Sequence, residues 1–494
     1  MSKPPSPFAL RVATLLFPPA GVVLLWQEPV SLARKIFGSI GIALYCVPYS
    51  ALLIFLLVRF AGLQMEWRGG YVPALTWRTT RPDFEALERS RSRVARSTPP
   101  ARPPSDTNAY WTGLRGPRGD GRYDEQPIHT NWSAAGPKLL WRQPCGGGYA
   151  SFAIGAGLAF TIEQRRESEV AFAYEVESGR EAWTHGWPAR FGEYYSGEGP
   201  RATPALNSGC VFALGAQGEL RCLAAADGRL IWATNVLADV RAEVPAYGIS
   251  ASPLIVDEKL IVLTGAGRGR SVVCYDKHAG RRLWSALDDA TGYATPVSVT
   301  IEGERQLVIC SETSTAGLRL EDGAVRWRFA WSVRYNQPPI AQPVQLGANR
   351  FLLSAGYFTG CAAFEVTRSG DGFATRELWR SSQLKNKFTS SIYHEGFIYG
   401  LDEDILTCLD AADGGRKWKD GRYGYGQIIL ASDHLVVLCG DGDLALVKAT
   451  PERHFELARL PGIHGKTWNH AALGGGRLLV RNAAEMACFD LGAK

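Results

Sequence analysis

Two arrangements of cysteine are missing from this 494-residue chain: no CxxC pair occurs, and no two of its ten cysteines are adjacent. Their absence removes the usual spacings of a zinc site or a dithiol redox centre. Also absent are GxSxG, a Walker phosphate loop and HExxH, and with them the signatures of a serine-hydrolase elbow, a P-loop site and a zinc protease. His394, His434, His454, His464 and His470 lack ligand spacing. A strong charge of one sign is lacking too, once the formal +6 is divided along the chain. Residues 1–58 carry +3 and residues 59–104 carry +5, which leaves −2 on residues 105–494. That near-neutral majority has no basic footprint for nucleic acid. The basic excess lies beside an apolar segment, where it favours anionic lipid headgroups.

Ile36 to Val58 runs 23 residues without a charge, long enough to cross a bilayer. Leu10 to Trp26 is weaker, because it carries Arg11 and Pro18-Pro19; it spans as a hairpin partner or lies at the interface. One or two helices are therefore expected within residues 1–62, anchoring the chain in a lipid bilayer. Orientation stays open. With two spans, Lys3, Arg11, Arg59, Arg68 and Arg78 share the side of the remaining chain and place it in the cytoplasm. With one span, Lys3, Arg11, Arg34 and Lys35 precede it and the rest faces outward. The inner membrane with a periplasmic main domain is the expectation carried forward. Residues 63–105 read as a basic, Pro-rich linker, ending in RSRSRVARSTPPARPPS (89–105).

What the chain does have is a repeat. CLAAADGRLIW (222–232), CYDKHAGRRLW (274–284) and CLDAADGGRKW (408–418) each place a small residue ten positions before a Trp and a Gly four before it. AYEVESGREAW (173–183) and GLRLEDGAVRW (317–327) keep both spacings. Trp141 and Trp379 end looser copies, and Leu457 stands for the Trp in one more. The period is about 45 residues, which for short strands means a propeller. Residues 253–285 show the unit: four apolar strands separated by turns rich in Gly and Asp, with GAGRG (265–269) as one hairpin turn. Complete units end at Trp183, Trp232, Trp284, Trp327, Trp379, Trp418 and Leu457, and an eighth lacks its fourth strand. KLLW (138–141) is a fourth strand lacking the first three. Joining them predicts an all-β, eight-bladed propeller over residues 106–494, monomeric, with four-stranded antiparallel blades and an N-terminal strand closing the last blade. Seven blades with KLLW as a stray edge strand is the alternative.

Cys222, Cys274, Cys408 and Cys488 share one repeat position that Ala173, Gly317 and Ala363 fill elsewhere. A slot that takes Cys, Ala or Gly is a small core slot, so these thiols read as packing groups. Asn131-Trp132-Ser133 matches a glycosylation sequon by chance.

The unit of small residue, aromatic or Leu, Asp, then Gly-x-x-x-Trp resembles the repeat of quinoprotein-type (PQQ-like) eight-bladed propellers. WTGLRGPRGDG (111–121), residues 385–427 and residues 465–491 resemble segments of membrane-anchored, BamB-like members. The resemblance covers about residues 108–491 and implies the fold. Its superfamily contains both PQQ-dependent alcohol dehydrogenases and the non-catalytic BamB lipoprotein of outer-membrane protein assembly, so it implies no single activity. The dehydrogenases hold PQQ near the channel with a Ca²⁺ on Glu, Asn and Asp, a catalytic Asp and an adjacent-Cys disulfide. No such set transfers to this sequence, so no catalytic residue, metal site or cofactor is expected.

One constellation suits a ligand. Each first strand opens with Ser151, Thr203, Ser252, Thr295, Gln342, Ser390, Gln427 or Asn469, facing the central channel. Just upstream lie Tyr149, Arg201, Tyr293, Lys385, Lys387, Arg422, Tyr425 and Lys466, a mouth of cations and phenol rings for a planar anion. Lys385-Asn386-Lys387 and Trp468-Asn469-His470 complete the candidate set. The competing reading is Tyr packed between blades and cations in solvent. Three functions follow: a membrane-anchored binding or protein-interaction scaffold; a PQQ- and Ca²⁺-dependent dehydrogenase of alcohols or sugars; and an extracytoplasmic sensor coupled to another membrane or envelope protein.

Overall fold

A computed structural model describes residues 14–60, 63–66, 74–77, 84–85, 87–89, 109–132, 136–193, 196–290 and 292–493. Lys3, Arg11, most of the linker and Ser133 of the sequon lie outside these residues. The chain divides into two compact units.

In the N-terminal unit, helix α1 (Pro18–Gln27) and helix α2 (Leu32–Phe60) form a hairpin. Pro18-Pro19 opens α1, where proline's missing N–H costs nothing. Trp26 Nε1 donates to Ser39 Oγ at 3.0 Å and Lys35 Nζ to the Trp26 carbonyl at 2.9 Å. A Cβ on Gly38 would stand 2.5 Å from Leu25 Cδ2, so glycine there lets the helices touch. The 29 residues of α2 give about 43 Å of helix and the ten of α1 about 15 Å, against a hydrocarbon core of about 30 Å. Among the described residues α2 alone is long and apolar enough to cross a membrane.

The second unit is a ring of eight sheets. Seven are continuous in sequence: 153–188, 205–235, 254–286, 297–330, 344–381, 392–422 and 427–460. The eighth takes Ala472–Gly474, Arg477–Arg481 and Glu485–Asp490, and its outer strand is Lys138–Pro144. That strand runs antiparallel to Glu485–Asp490 with Trp141 opposite Cys488, which decides for eight blades over seven. Two blades exceed the expected four strands. Ala109–Trp111 adds to the inner edge of blade 1, antiparallel, and Arg122–Tyr123 to that of blade 7, parallel. Apolar clusters sit between the sheets: blades 1 and 2, 2 and 3, 3 and 4, 4 and 5, 5 and 6, 6 and 7, with one cluster spanning 7, 8 and 1. Every interblade face is thereby covered.

The repeat has a mechanical explanation. The small residue lies directly across the ladder from the Trp: Cys222 faces Trp232, Cys274 faces Trp284, Cys408 faces Trp418 and Ala173 faces Trp183. The indole then reaches the following blade. Trp141 donates to the Val176 carbonyl, Trp183 to Ala225, Trp232 to Lys277, Trp284 to Leu320, Trp379 to Ala411 and Trp418 to Thr450, at 2.7–3.2 Å. In most of these junctions the ring lies on the receiving turn's glycine. A Cβ at Gly228 or Gly280 would stand 2.5 Å from Trp183 or Trp232. The glycine thus supplies positive φ and a flat seat for the neighbour's indole.

Two junctions depart, for a visible reason. Blade 5 replaces the tight turn with a long hairpin, Gly360–Ser369 and Gly372–Ser381. Trp327 turns back on its own blade, donating to Gln306 Oε1 at 2.7 Å over Gly317, where a Cβ would meet its Nε1 at 2.1 Å. Blade 8 has no turn between its third and fourth strands, and blade 7 presents no Trp to it. The ladder corrects the sequence reading here: Ala458, opposite Leu446, holds the Trp register, and Leu457 is the bulged residue beside it.

Candidate functional site

The eight polar residues that open the first strands are buried and form a belt of hydrogen bonds around the axis. The Ser151 amide donates to Thr203 Oγ1, the Thr203 amide to Ser252 Oγ, and the Ser252 amide to Thr295 Oγ1, at 2.8–2.9 Å. Gln342 Nε2 donates to the Thr295 carbonyl and the Gln342 amide to Ser390 Oγ. Gln427 Nε2 bridges the Phe388 and Trp468 carbonyls, and Asn469 Nδ2 bridges those of Gly148 and Ala150. All eight junctions are tied. These residues repeat because each closes a joint between blades.

Above the belt, the loops entering the first strands bring rings together. Trp468 stacks on Phe388 at 4.6 Å and on Tyr149 at 6.0 Å, and Tyr425 meets both Phe388 and Trp468 edge-on at 5.2 and 6.0 Å. Two lysines sit among them. Lys466 Nζ lies 3.7 Å from the Trp468 ring centre and 5.9 Å from that of Tyr149. Lys387 Nζ lies 4.6 Å from the Tyr425 ring and 5.0 Å from that of Tyr357, and donates to Tyr425 Oη at 2.9 Å. Burial lowers the Lys387 pKa against the pull of Glu403, raises that of Glu403, and pushes the Tyr357 phenol up to about 12. Blades 1, 5, 6, 7 and 8 each contribute to this patch.

The other sequence candidates lie elsewhere. Arg201 is buried, stacked on Phe191 at 4.6 Å and bonded to Ser196 Oγ and the Gly197 carbonyl, so it pins a loop beside Tyr149. Tyr293 accepts from the Tyr247 amide and meets that ring edge-on, on another arc of the mouth. Lys385 and Lys419 flank the buried Asp402 carboxylate. Asn386 is buried, donating to the Leu401 carbonyl and accepting from Ser391. Arg422 is exposed and paired with Asp404. Asn469 belongs to the belt. His470 follows it, half-buried, and desolvation pushes its pKa down to about 3.

Sequence reasoning missed Phe388, at the centre of the ring cluster, and Tyr357. Phe388 stands two positions before its belt residue, the slot of Tyr149, Tyr293 and Tyr425; aligning that slot finds it. Tyr357 has φ +55° in a loop of blade 5, and no repeat position marks it.

The carboxylates of the mouth are already committed to cations. Glu193, Asp402, Glu403 and Asp404 are each paired with Arg or Lys, and among the described residues no three of His, Cys, Asp or Glu converge as a metal site.

Solved structures share the fold. BamB from Moraxella catarrhalis superposes with TM-score 0.52 at 16% identity, over 72% of this chain and 100% of that one. The quinohemoprotein alcohol dehydrogenase from Comamonas testosteroni gives TM-score 0.55 at 12% identity, over 83% and 85%. ADHIIG, a quinohemoprotein alcohol dehydrogenase from Pseudomonas putida HK5, gives 0.55 at 13%, over 79% and 81%. No curated protein sequence matches the chain. The family model described as outer membrane protein assembly factor BamB matches residues 166–420. That stretch is more than half of the 494 residues and carries the blades whose Trp and Gly interlock, and on it the chain belongs to the BamB-like family of propellers.

Proposed function

We propose that this protein is a non-catalytic binding propeller, anchored by α2 in the inner membrane with the ring on the periplasmic side, whose aromatic and cationic mouth docks a partner protein of the envelope. The observation that carries this reading is the ring cluster of Tyr149, Phe388, Tyr425 and Trp468 with Lys387 and Lys466 held over it. Tyr149, Phe388 and Trp468 are half-buried over the buried Tyr425, and partly exposed rings with cations on them suit a contact centre, where large rigid groups give area at little entropic cost. Carboxylates of a partner would pair with the lysines while its side chains stack on the rings. The family's name, an outer membrane protein assembly factor, agrees with a role in protein contacts.

A photo-crosslinking residue placed at Lys466 is expected to capture an envelope protein, and Trp468→Ala to weaken that contact roughly tenfold or more. The same residue at Leu283 on the outer rim should capture nothing. Equal capture at both positions would sink the reading. Dehydrogenase neighbours motivate the second reading, and it is tested separately. With PQQ and Ca²⁺ added, the melting temperature should stay put and no dye should be reduced with alcohols or sugars; a clear rise in melting temperature with dye reduction would reverse the assignment.

A further inference from the structure

The segment 109–123 closes the channel beneath the belt. It pairs with blade 1 through Ala109–Trp111, and the Thr112 carbonyl accepts from Leu206 of blade 2. Gly119 passes beside the Gln342 side chain of blade 5. Arg122 donates to the Tyr393 carbonyl of blade 6, and Gly121 to Tyr123 follow blade 7. From this plug Arg115 points inward. It is 4% exposed. Its Nη2 donates to the Asp120 and Ser391 carbonyls at 2.9 and 2.8 Å, while Nε and Nη1 have no protein partner among the described residues. Asp120, whose charge it feels, turns its carboxylate to Arg118 and the Arg122 amide. A buried cation without a carboxylate is costly, and burial pulls the Arg115 pKa down to about 10, which still leaves it charged at neutral pH.

The belt residues above it have the complementary need. Gln427 and Asn469 commit their NH₂ groups to carbonyls on both sides, and Gln342 donates to the Thr295 carbonyl. These bonds fix which way each amide faces, and Gln342 Oε1, Gln427 Oε1 and Asn469 Oδ1 are left without a protein donor among the described residues. His470, next to Asn469, is in reach of the Arg115 charge and stays neutral. The plug thus carries one buried cation, and the belt carries three fixed acceptors.

We infer that the axial chamber between plug and belt binds a small oxyanion that carries at least one O–H, of the hydrogen phosphate or bicarbonate class, with Arg115 as its cationic ligand. Such an ion accepts from Nε and Nη1 and donates to the amide oxygens. A fully deprotonated oxyanion such as sulfate satisfies Arg115 and repels the amides.

The full chain in detergent at pH 7, titrated calorimetrically with sodium phosphate, is expected to bind one ion. Sulfate should bind roughly tenfold more weakly or worse, and Arg115→Gln should lose phosphate by at least a comparable factor. No phosphate binding, or phosphate and sulfate binding alike, would overturn the inference. If Arg115→Gln fails to fold, the phosphate-to-sulfate ratio on the unmodified chain still decides. Lys466→Ala and Lys387→Ala keep the chamber: phosphate binding that survives Arg115→Gln but vanishes with either would place the ion at the mouth and refute the chamber. The docking role of the mouth stands or falls on its own crosslinking test.

Discussion

At the scale of single residues, the interior holds carboxylates whose protonation matters to the fold. Glu169 is buried between blades 1 and 2, accepting from the Ala216 amide at 2.9 Å and from Trp187 Nε1 at 3.2 Å. Burial outweighs these bonds and pushes it up from 4.5 to about 7. The folded state therefore holds this proton more tightly than the unfolded chain. The stability it contributes is full below about 4.5 and is lost as pH rises through about 7, on the order of 3 kcal/mol in all. Glu169→Gln should flatten that slope, which denaturant unfolding at pH 5 and pH 8 would measure; an unchanged slope would mean the carboxyl is already ionised in the fold. His470 works in the opposite sense. Its depressed pKa makes neutral His470 a stabilising feature above its ordinary 6.5, lost as pH falls toward about 3.

At the scale of elements, the turn between the third and fourth strands is where sequence and structure meet most directly. The Gly and Trp spacings were legible because one turn makes one contact with one neighbour, and it does so at most junctions. Gly280→Ala forces a Cβ to 2.5 Å from the Trp232 ring at φ +65°. It is expected to cost about 2–4 kcal/mol, from the backbone penalty plus overpacking. Gly396→Ala, at φ +86° with open space around it, meets the backbone penalty alone, about 1–2 kcal/mol. Denaturation midpoints of the two variants check the difference, and equal losses would show that the seat for the indole does not matter. Legibility failed where a long-range partner chooses the residue. Leu457 looks like the missing Trp by spacing, but the bulge position depends on the partner strand, which puts Ala458 in register. The polar residues at the start of each first strand were found for their chemistry and turned out to tie blade to blade. Arg115 carried no repeat signal, since the plug occurs once, and its burial needs contacts with blades far away in sequence.

At the scale of the whole molecule, closure rests on Lys138–Pro144. This strand supplies the outer edge of blade 8 and, through Trp141, the indole that reaches the Val176 carbonyl of blade 1 at 2.7 Å. A chain lacking residues 138–144 leaves Glu485–Asp490 as an open edge, and open edges recruit strands from other molecules. Size-exclusion chromatography should show that variant as oligomers or aggregate while the parent elutes as a monomer. A monodisperse, monomeric variant would show that the ring survives with a three-stranded last blade.

The same strand sets the order of assembly during synthesis. Lys138–Pro144 leaves the ribosome roughly 340 residues before its partner strand. Until Asp490 has emerged, Leu139, Leu140 and Trp141 wait on a strand with nothing to pair with, so the toroid can ripen only once the third strand of the eighth blade has been made. A holding chaperone, or slow passage through a translocation pore, would act in that interval.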